Sequence, residues 1–145
     1  SGIDGLIAGA AGAARATGRA TGLLLGDVSY LHDVASLASA PANVPLVLVV
    51  INDGGGRIFE RLPIRSAVEE VFFERVFAST HGRDLGALAK AFGAAYDRVD
   101  GPETFEGSVR EAARRGGPSV IEVPLEAGAD KRTLGTLEAV LAPFV

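Results

Sequence analysis

Val44-Pro45-Leu46-Val47-Leu48-Val49-Val50-Ile51 is the stretch that most limits what this chain can fold into. Its seven apolar residues are interrupted once, by Pro, and leave the pattern without a polar face. A strand buried on one face alternates apolar and polar residues, whereas a strand covered on both faces is apolar throughout. The run therefore predicts a central strand of a parallel sheet. It stops at Asn52-Asp53-Gly54-Gly55-Gly56, a turn whose glycines let the backbone fold closely around a bound group because no Cβ obstructs it.

The flanking sequence predicts alternating helices and strands. Ile3 to about Thr17 is rich in Ala, the strongest helix former, and Gly18 suits a C-cap. Gly5, Gly9 and Gly12 each lower helix propensity by up to ~1 kcal/mol relative to Ala, which implies close approach of a neighbouring strand or ligand there. Leu23 to Leu25 reads as a short buried strand ending at Gly26-Asp27. Leu31, Val34, Ala35 and Ala38 share one face of a helix from Leu31 to Ala38. Asp84 suits the N-cap of a helix reaching about Ala94. A strand from Ala95 to Val99, a helix from Pro102 to Arg115, a strand from Ser119 to Pro124 and a helix from Leu134 to Leu141 complete the order. This alternation predicts an α/β domain, three layers α/β/α with a mainly parallel sheet.

Residues 66–80 carry no clear period. Val71, Phe72, Phe73, Val76 and Phe77 are too apolar for a solvated loop and suit packing on the domain or on a partner. With few local contacts to hold them, this segment and the Gly54-Gly55-Gly56 loop are expected to be loosely held or missing.

Composition narrows the function classes. At 145 residues the chain fits one domain, residues 1–145, with a sizeable core; 48% of it is apolar and no Pro- or Ser-rich linker divides it. A net charge of −4 with scattered basic residues does not suit a nucleic-acid binder. The absence of Cys excludes disulfides, thiolate metal ligands and a Cys nucleophile. No apolar run approaches the roughly 20 residues of a membrane span, so a cytoplasmic location is the default expectation. Ser1-Gly2-Ile3-Asp4-Gly5 runs straight into a helical pattern with no leader, which reads as a fragment of a longer protein.

In parallel α/β sheets ligands bind beyond the carboxyl ends of the strands. Gly26-Asp27 and Asn52-Asp53 both stand at such ends. Mg²⁺ takes oxygen ligands, commonly one or two carboxylates completed by phosphate and water. Asp27 and Asp53 supply two carboxylates, and a carbonyl in the Gly run a third oxygen. The helix after Asp27 would direct N–H groups, including those near Ser29, at an anion. Either dipeptide alone is an ordinary turn; both together, each after a buried strand, are far more specific.

The separation is that of the thiamin diphosphate motif, with Val28 in place of its third Gly and Asp53 in place of its second Asn. Ser1-Gly2-Ile3-Asp4-Gly5, Gly26-Asp27-Val28-Ser29-Tyr30-Leu31-His32-Asp33, Asn52-Asp53-Gly54-Gly55-Gly56-Arg57-Ile58-Phe59-Glu60-Arg61-Leu62-Pro63 and Thr80-His81-Gly82-Arg83-Asp84 closely resemble the MenD family, the 2-succinyl-5-enolpyruvyl-6-hydroxy-3-cyclohexene-1-carboxylate synthases of menaquinone biosynthesis. The resemblance runs from Ser1 to about Pro124. It implies the thiamin diphosphate-binding fold and, within it, the C-terminal diphosphate-binding domain.

It also implies roles. Asp27, the Asp53 side chain and the Gly55 carbonyl would bind Mg²⁺. Gly26 and Ser29 would lie against the diphosphate, and Ile3 under the bent cofactor. Ile58, Phe59 and Leu62 would line the substrate side, with Arg57 a candidate for a substrate carboxylate. The implied reaction is decarboxylation of 2-oxoglutarate on thiamin diphosphate and addition of the resulting carbanion to isochorismate. The activating Glu of such enzymes lies on a pyrimidine-binding domain, in the same chain or a partner subunit of a homo-oligomer, so no catalytic acid or base is assigned here. The fragment alone is expected to be inactive. Another 2-oxo-acid decarboxylase, an acetohydroxyacid-synthase-like enzyme and a non-catalytic α/β binding module remain as alternatives; Ile58-Phe59 after the Gly run argues against the first two.

Overall fold

The computed structural model describes residues 2–126, so the helix expected at Leu134 to Leu141 lies outside the described residues. They fall into two compact units, one formed by residues 2–52 and 83–124 and the other built on residues 53–82.

The first unit is a parallel sheet of four strands, β1 (Thr21–Gly26), β2 (Leu46–Asn52), β3 (Ala95–Arg98) and β4 (Pro118–Pro124), in the order β1-β2-β4-β3. β2 is internal, as its two-sided apolar pattern requires. Its residues divide between two cores. Leu46, Leu48 and Val50 face one side and pack with Ile7, Ala11, Leu25, Tyr30, Leu37, Leu85 and Ala89. Val47 faces the other and packs with Val99, Ala112 and Ile121. Helices α1 (Leu6–Thr17), α2 (Asp27–Asp33) and α5 (Leu85–Ala91) thus cover one face, and α6 (Pro102–Arg114) the other. Each fully buried Leu or Val contributes about 1.5–3 kcal/mol relative to exposure, which makes β2 the main source of cohesion in the sheet.

Local chemistry explains the helix ends. Gly18 adopts a left-handed conformation (φ 64°) and its N–H donates to the Ala14 carbonyl, ending α1. The Asp84 side chain accepts from the Ala87 N–H at 2.8 Å and starts α5. Pro102 opens α6. The α1 N-terminus takes its cap from a distance: Asp33 Oδ2 accepts from the Ile7 and Ala8 N–H groups at 2.6 and 3.0 Å. Two expectations change. α2 begins at Asp27 itself and passes into a 3-10 turn, Val34–Ser39, rather than starting at Leu31. Gly5, Gly9 and Gly12 are exposed and a Cβ on any of them would meet nothing within 4 Å, so among the described residues no close approach explains them.

The second unit contains a 3-10 turn (Arg57–Arg61), the short helices α3 (Ile64–Ala67) and α4 (Glu70–Phe73), and a π-helical turn (Glu74–Ala78). The glycine loop and the 66–80 segment were expected to be loosely held; instead they hold each other. The Gly56 N–H donates to the Ala78 carbonyl at 2.5 Å, and a Cβ on Gly55 (φ 152°) would collide with that same oxygen. Phe77 stacks on the fully buried Phe73 with centroids 5.8 Å apart and meets Phe59 and Phe72 edge-on. The expected apolar cluster is therefore split: Phe73 forms a small core, while Val71, Phe72 and Val76 remain exposed.

Candidate functional site

The carboxyl end of the sheet is built by two adjacent parallel strands. In their register Gly26 pairs with Ile51, so Asp27 and Asn52 are each the next residue along neighbouring strands. Asp27 is 2% exposed, an unusual degree of burial for a carboxylate. It opens α2 directly from the strand, and its Oδ1 accepts from the Val28 N–H at 2.7 Å. Gly26 has no side chain to cap this helix, and a Cβ there would meet nothing within 4 Å, so open space lies against it. Ser29 is half-buried one turn along, and Ile3 is exposed in the segment before α1.

Asp53, Gly55, Arg57, Ile58, Phe59 and Leu62 belong to the second unit. Ile58, Phe59 and Leu62 present apolar surface, Ile58 being 69% exposed. Gly55 is buried, and its glycine identity follows from the close approach of Ala78 described above. Arg57, the candidate for a substrate carboxylate, has carboxylate partners within its own unit. Its Nη1 donates to Glu60 at 2.8 Å and to Glu74 at 2.6 Å, and its side chain is only 10% exposed. The Glu74 hydrogen bond, assisted by Glu60, outweighs burial and holds the guanidinium pKa above its usual value. Two internal carboxylates thus share Nη1, while the buried Nε has no hydrogen-bond partner among the described residues.

The candidate ligands are all of one chemical kind. Asp27 of the first unit offers carboxylate oxygen, and within the second unit so does Asp53, with the Gly55 carbonyl two residues on; oxygen donors match Mg²⁺ rather than a softer metal. Among the described residues no group of three or more His, Cys, Asp or Glu side chains could hold a metal by itself. No helix of the described residues is long and apolar enough to cross a membrane.

One polar cluster at this end of the sheet was not anticipated. Glu122 on β4 is 3% exposed. Its Oε1 accepts from Asn52 Nδ2 and from Arg98 Nη1, each at 2.9 Å, and its Oε2 accepts from the Tyr96 hydroxyl at 2.6 Å. Burial, reinforced by the bond to Glu122, pushes the Tyr96 hydroxyl up to about 12. The sequence signal was the lone charge in Val120-Ile121-Glu122-Val123, an acid that a buried strand tolerates only with partners. Those partners stand on other strands, out of reach of local reading.

Comparisons with known proteins give the family and the fold. Residues 5–123 match the family described as "Thiamine pyrophosphate enzyme, C-terminal TPP binding domain". The 2-succinyl-5-enolpyruvyl-6-hydroxy-3-cyclohexene-1-carboxylate synthase of Shewanella sediminis is 47% identical over 124 residues, 85% of this chain and 21% of that protein. The protein of the same name from Kineococcus radiotolerans is 48% identical over 126 residues, 85% of this chain and 22% of that protein. The chain thus spans about a fifth of the length of these curated relatives. Among solved structures, the thiamine diphosphate-dependent 4-hydroxybenzoylformate decarboxylase of Rhodococcus jostii RHA1 superposes with a TM-score of 0.67 at 25% identity, covering 81% of this chain and 22% of that one. The chain therefore belongs to the thiamine pyrophosphate enzyme C-terminal TPP-binding domain family, and its sequence places it with the MenD members of that family.

Proposed function

We propose that this chain is the diphosphate-binding domain of a thiamin diphosphate- and Mg²⁺-dependent synthase that decarboxylates 2-oxoglutarate and transfers the remaining four-carbon unit to isochorismate. The observation that carries this reading is the buried Asp27 at the end of β1, beside the strand that delivers Asn52-Asp53. Thiamin diphosphate, when bound, supplies the electron sink for decarboxylation of a 2-oxo acid.

The residues of this chain hold and orient. Asp27, Asp53 and the Gly55 carbonyl would bind Mg²⁺. Gly26 and Ser29 would hold the diphosphate, and Ile3 would support the cofactor's apolar part. Ile58, Phe59 and Leu62, exposed apolar side chains, would line the substrate side. Arg57, tied to Glu60 and Glu74 through Nη1, would be held beside them as the candidate for a substrate carboxylate. The proton-moving Glu belongs to a pyrimidine-binding domain of the same chain or of a partner subunit in a homo-oligomer. On this reading the chain alone does not turn over.

Calorimetric titration of the protein with thiamin diphosphate, with and without Mg²⁺, tests the domain assignment: Mg²⁺-dependent binding is expected, and its absence in the full-length protein overturns the reading. An assay of the full-length protein with 2-oxoglutarate and isochorismate tests the reaction. Turnover by the isolated 145-residue chain would refute its dependence on another domain.

A further inference from the structure

We infer that Glu122 is a positioning residue for the metal-binding turn, acting through Asn52; this rests on the domain assignment proposed above. A carboxylate in the middle of an apolar strand is unfavourable unless its charge is met by donors. Glu122 has three, and they come from both neighbouring strands: Asn52 from β2, and Tyr96 and Arg98 from β3. The cluster therefore joins the carboxyl ends of three parallel strands at the edge where Asp27 and Asn52 stand.

The place of Asn52 gives this cluster its consequence. Asn52 is the last residue of β2, and the backbone ladder between β2 and β4 ends at the pair Asn52 and Pro124. Asp53, the proposed ligand, is the very next residue. The Asn52 side chain bonded to Glu122 is thus held within the rigid sheet immediately before the chain turns away. Its rotation or withdrawal would shift the Asp53 backbone, and metal ligands tolerate little displacement. Groups that orient ligands without touching the metal commonly change metal affinity 10–100-fold when removed. Three of the four members (Asn52, Tyr96 and Arg98) can be altered without leaving Glu122 fully unpartnered, so the network can be dissected.

The test uses the full-length protein and Mn²⁺ as a spectroscopic substitute for Mg²⁺. Binding of Mn²⁺ in the presence of thiamin diphosphate is followed by electron paramagnetic resonance, alongside thermal melts of the same samples. Glu122→Gln and Asn52→Ala are each expected to weaken Mn²⁺ binding about ten-fold. The double variant is expected to lose no more than the worse single variant, because both act through one bond. Tyr96→Phe removes a Glu122 partner but leaves the Asn52 bond, and is expected to change Mn²⁺ affinity less than about three-fold, as its bond is not on the path to Asp53. A lowered melting temperature with unchanged Mn²⁺ affinity in both Glu122→Gln and Asn52→Ala overturns the proposal, as does strict additivity in the double variant. Failure of the unaltered protein to bind Mn²⁺ with thiamin diphosphate overturns the domain assignment itself, and with it this inference.

Discussion

Asp33 caps the helix that begins at Leu6: its Oδ2 accepts at 2.6 Å from the N–H of Ile7, 26 residues earlier in the chain. Burial raises this carboxyl's pKa, but bonds from Ser36, Ala8 and Ile7 together outweigh it and hold it below the usual carboxylate range. The side chain thereby ties α2 to the start of α1.

Asp33→Ala is expected to destabilise the protein by about 1–3 kcal/mol, the range for a charged group lost from backbone donors. Because the folded-state pKa is depressed, the contribution is present above the ordinary Asp value and disappears as pH falls through the depressed one. Urea melts of the unaltered protein and Asp33→Ala across the acid range should therefore converge at low pH. A difference that persists unchanged would refute the charged-cap account.

Gly86 and Gly9 should respond to alanine with opposite signs. A Cβ at Gly86 would lie 2.6 Å from Cε1 of Tyr96, whereas one at Gly9 meets nothing within 4 Å. Gly86→Ala is expected to destabilise by about 1–3 kcal/mol through overpacking. Gly9→Ala, in the exposed interior of α1, is expected to stabilise by about 0.5–1 kcal/mol through backbone entropy. Chemical denaturation midpoints of the two variants check both signs at once.

The clamp around Arg57 should be far less tolerant than a surface ion pair. Arg57→Met leaves Glu60 and Glu74 facing each other without their shared cation. The expected cost is about 3 kcal/mol, as for removal of one partner from a largely buried pair. Hydrogen exchange should show the loss concentrated in residues 53–82. Arg57→Met combined with Glu74→Gln should recover part of it; no recovery would mean that packing, not charge, sets the effect.

Asp27→Ala in the full-length protein is expected to abolish Mg²⁺-dependent binding of thiamin diphosphate while the sheet stays folded, since Asp27 lies at its end rather than within its core. Calorimetry with and without Mg²⁺ is the measurement. Undiminished binding would remove Asp27 from the proposed metal site.

The amino-acid sequence by itself determined the features that depend on period and local chemistry. β2 had to be central because it has no polar face, and its neighbours had to be parallel because helices intervene. Gly18 and Asp84 marked helix ends because a left-handed cap and a side-chain acceptor are properties of single residues. The family resemblance was likewise carried by contiguous segments around Gly26-Asp27 and Asn52-Asp53.

Only the tertiary structure decided where the charges went. Local sequence offers Arg57 as a surface charge or a contact for a substrate carboxylate, because its partner Glu74 stands 17 residues on. Residues 66–80 looked unsupported because their partner is the glycine loop, which the backbone carbonyl of Ala78 reaches only after folding. Asn52 meets Glu122 across 70 residues of chain. Electrostatic partners act over a few ångströms of space whatever their separation in sequence, so no periodicity records them; apolar burial does leave a period, and that is why the sheet was legible and its polar bracing was not.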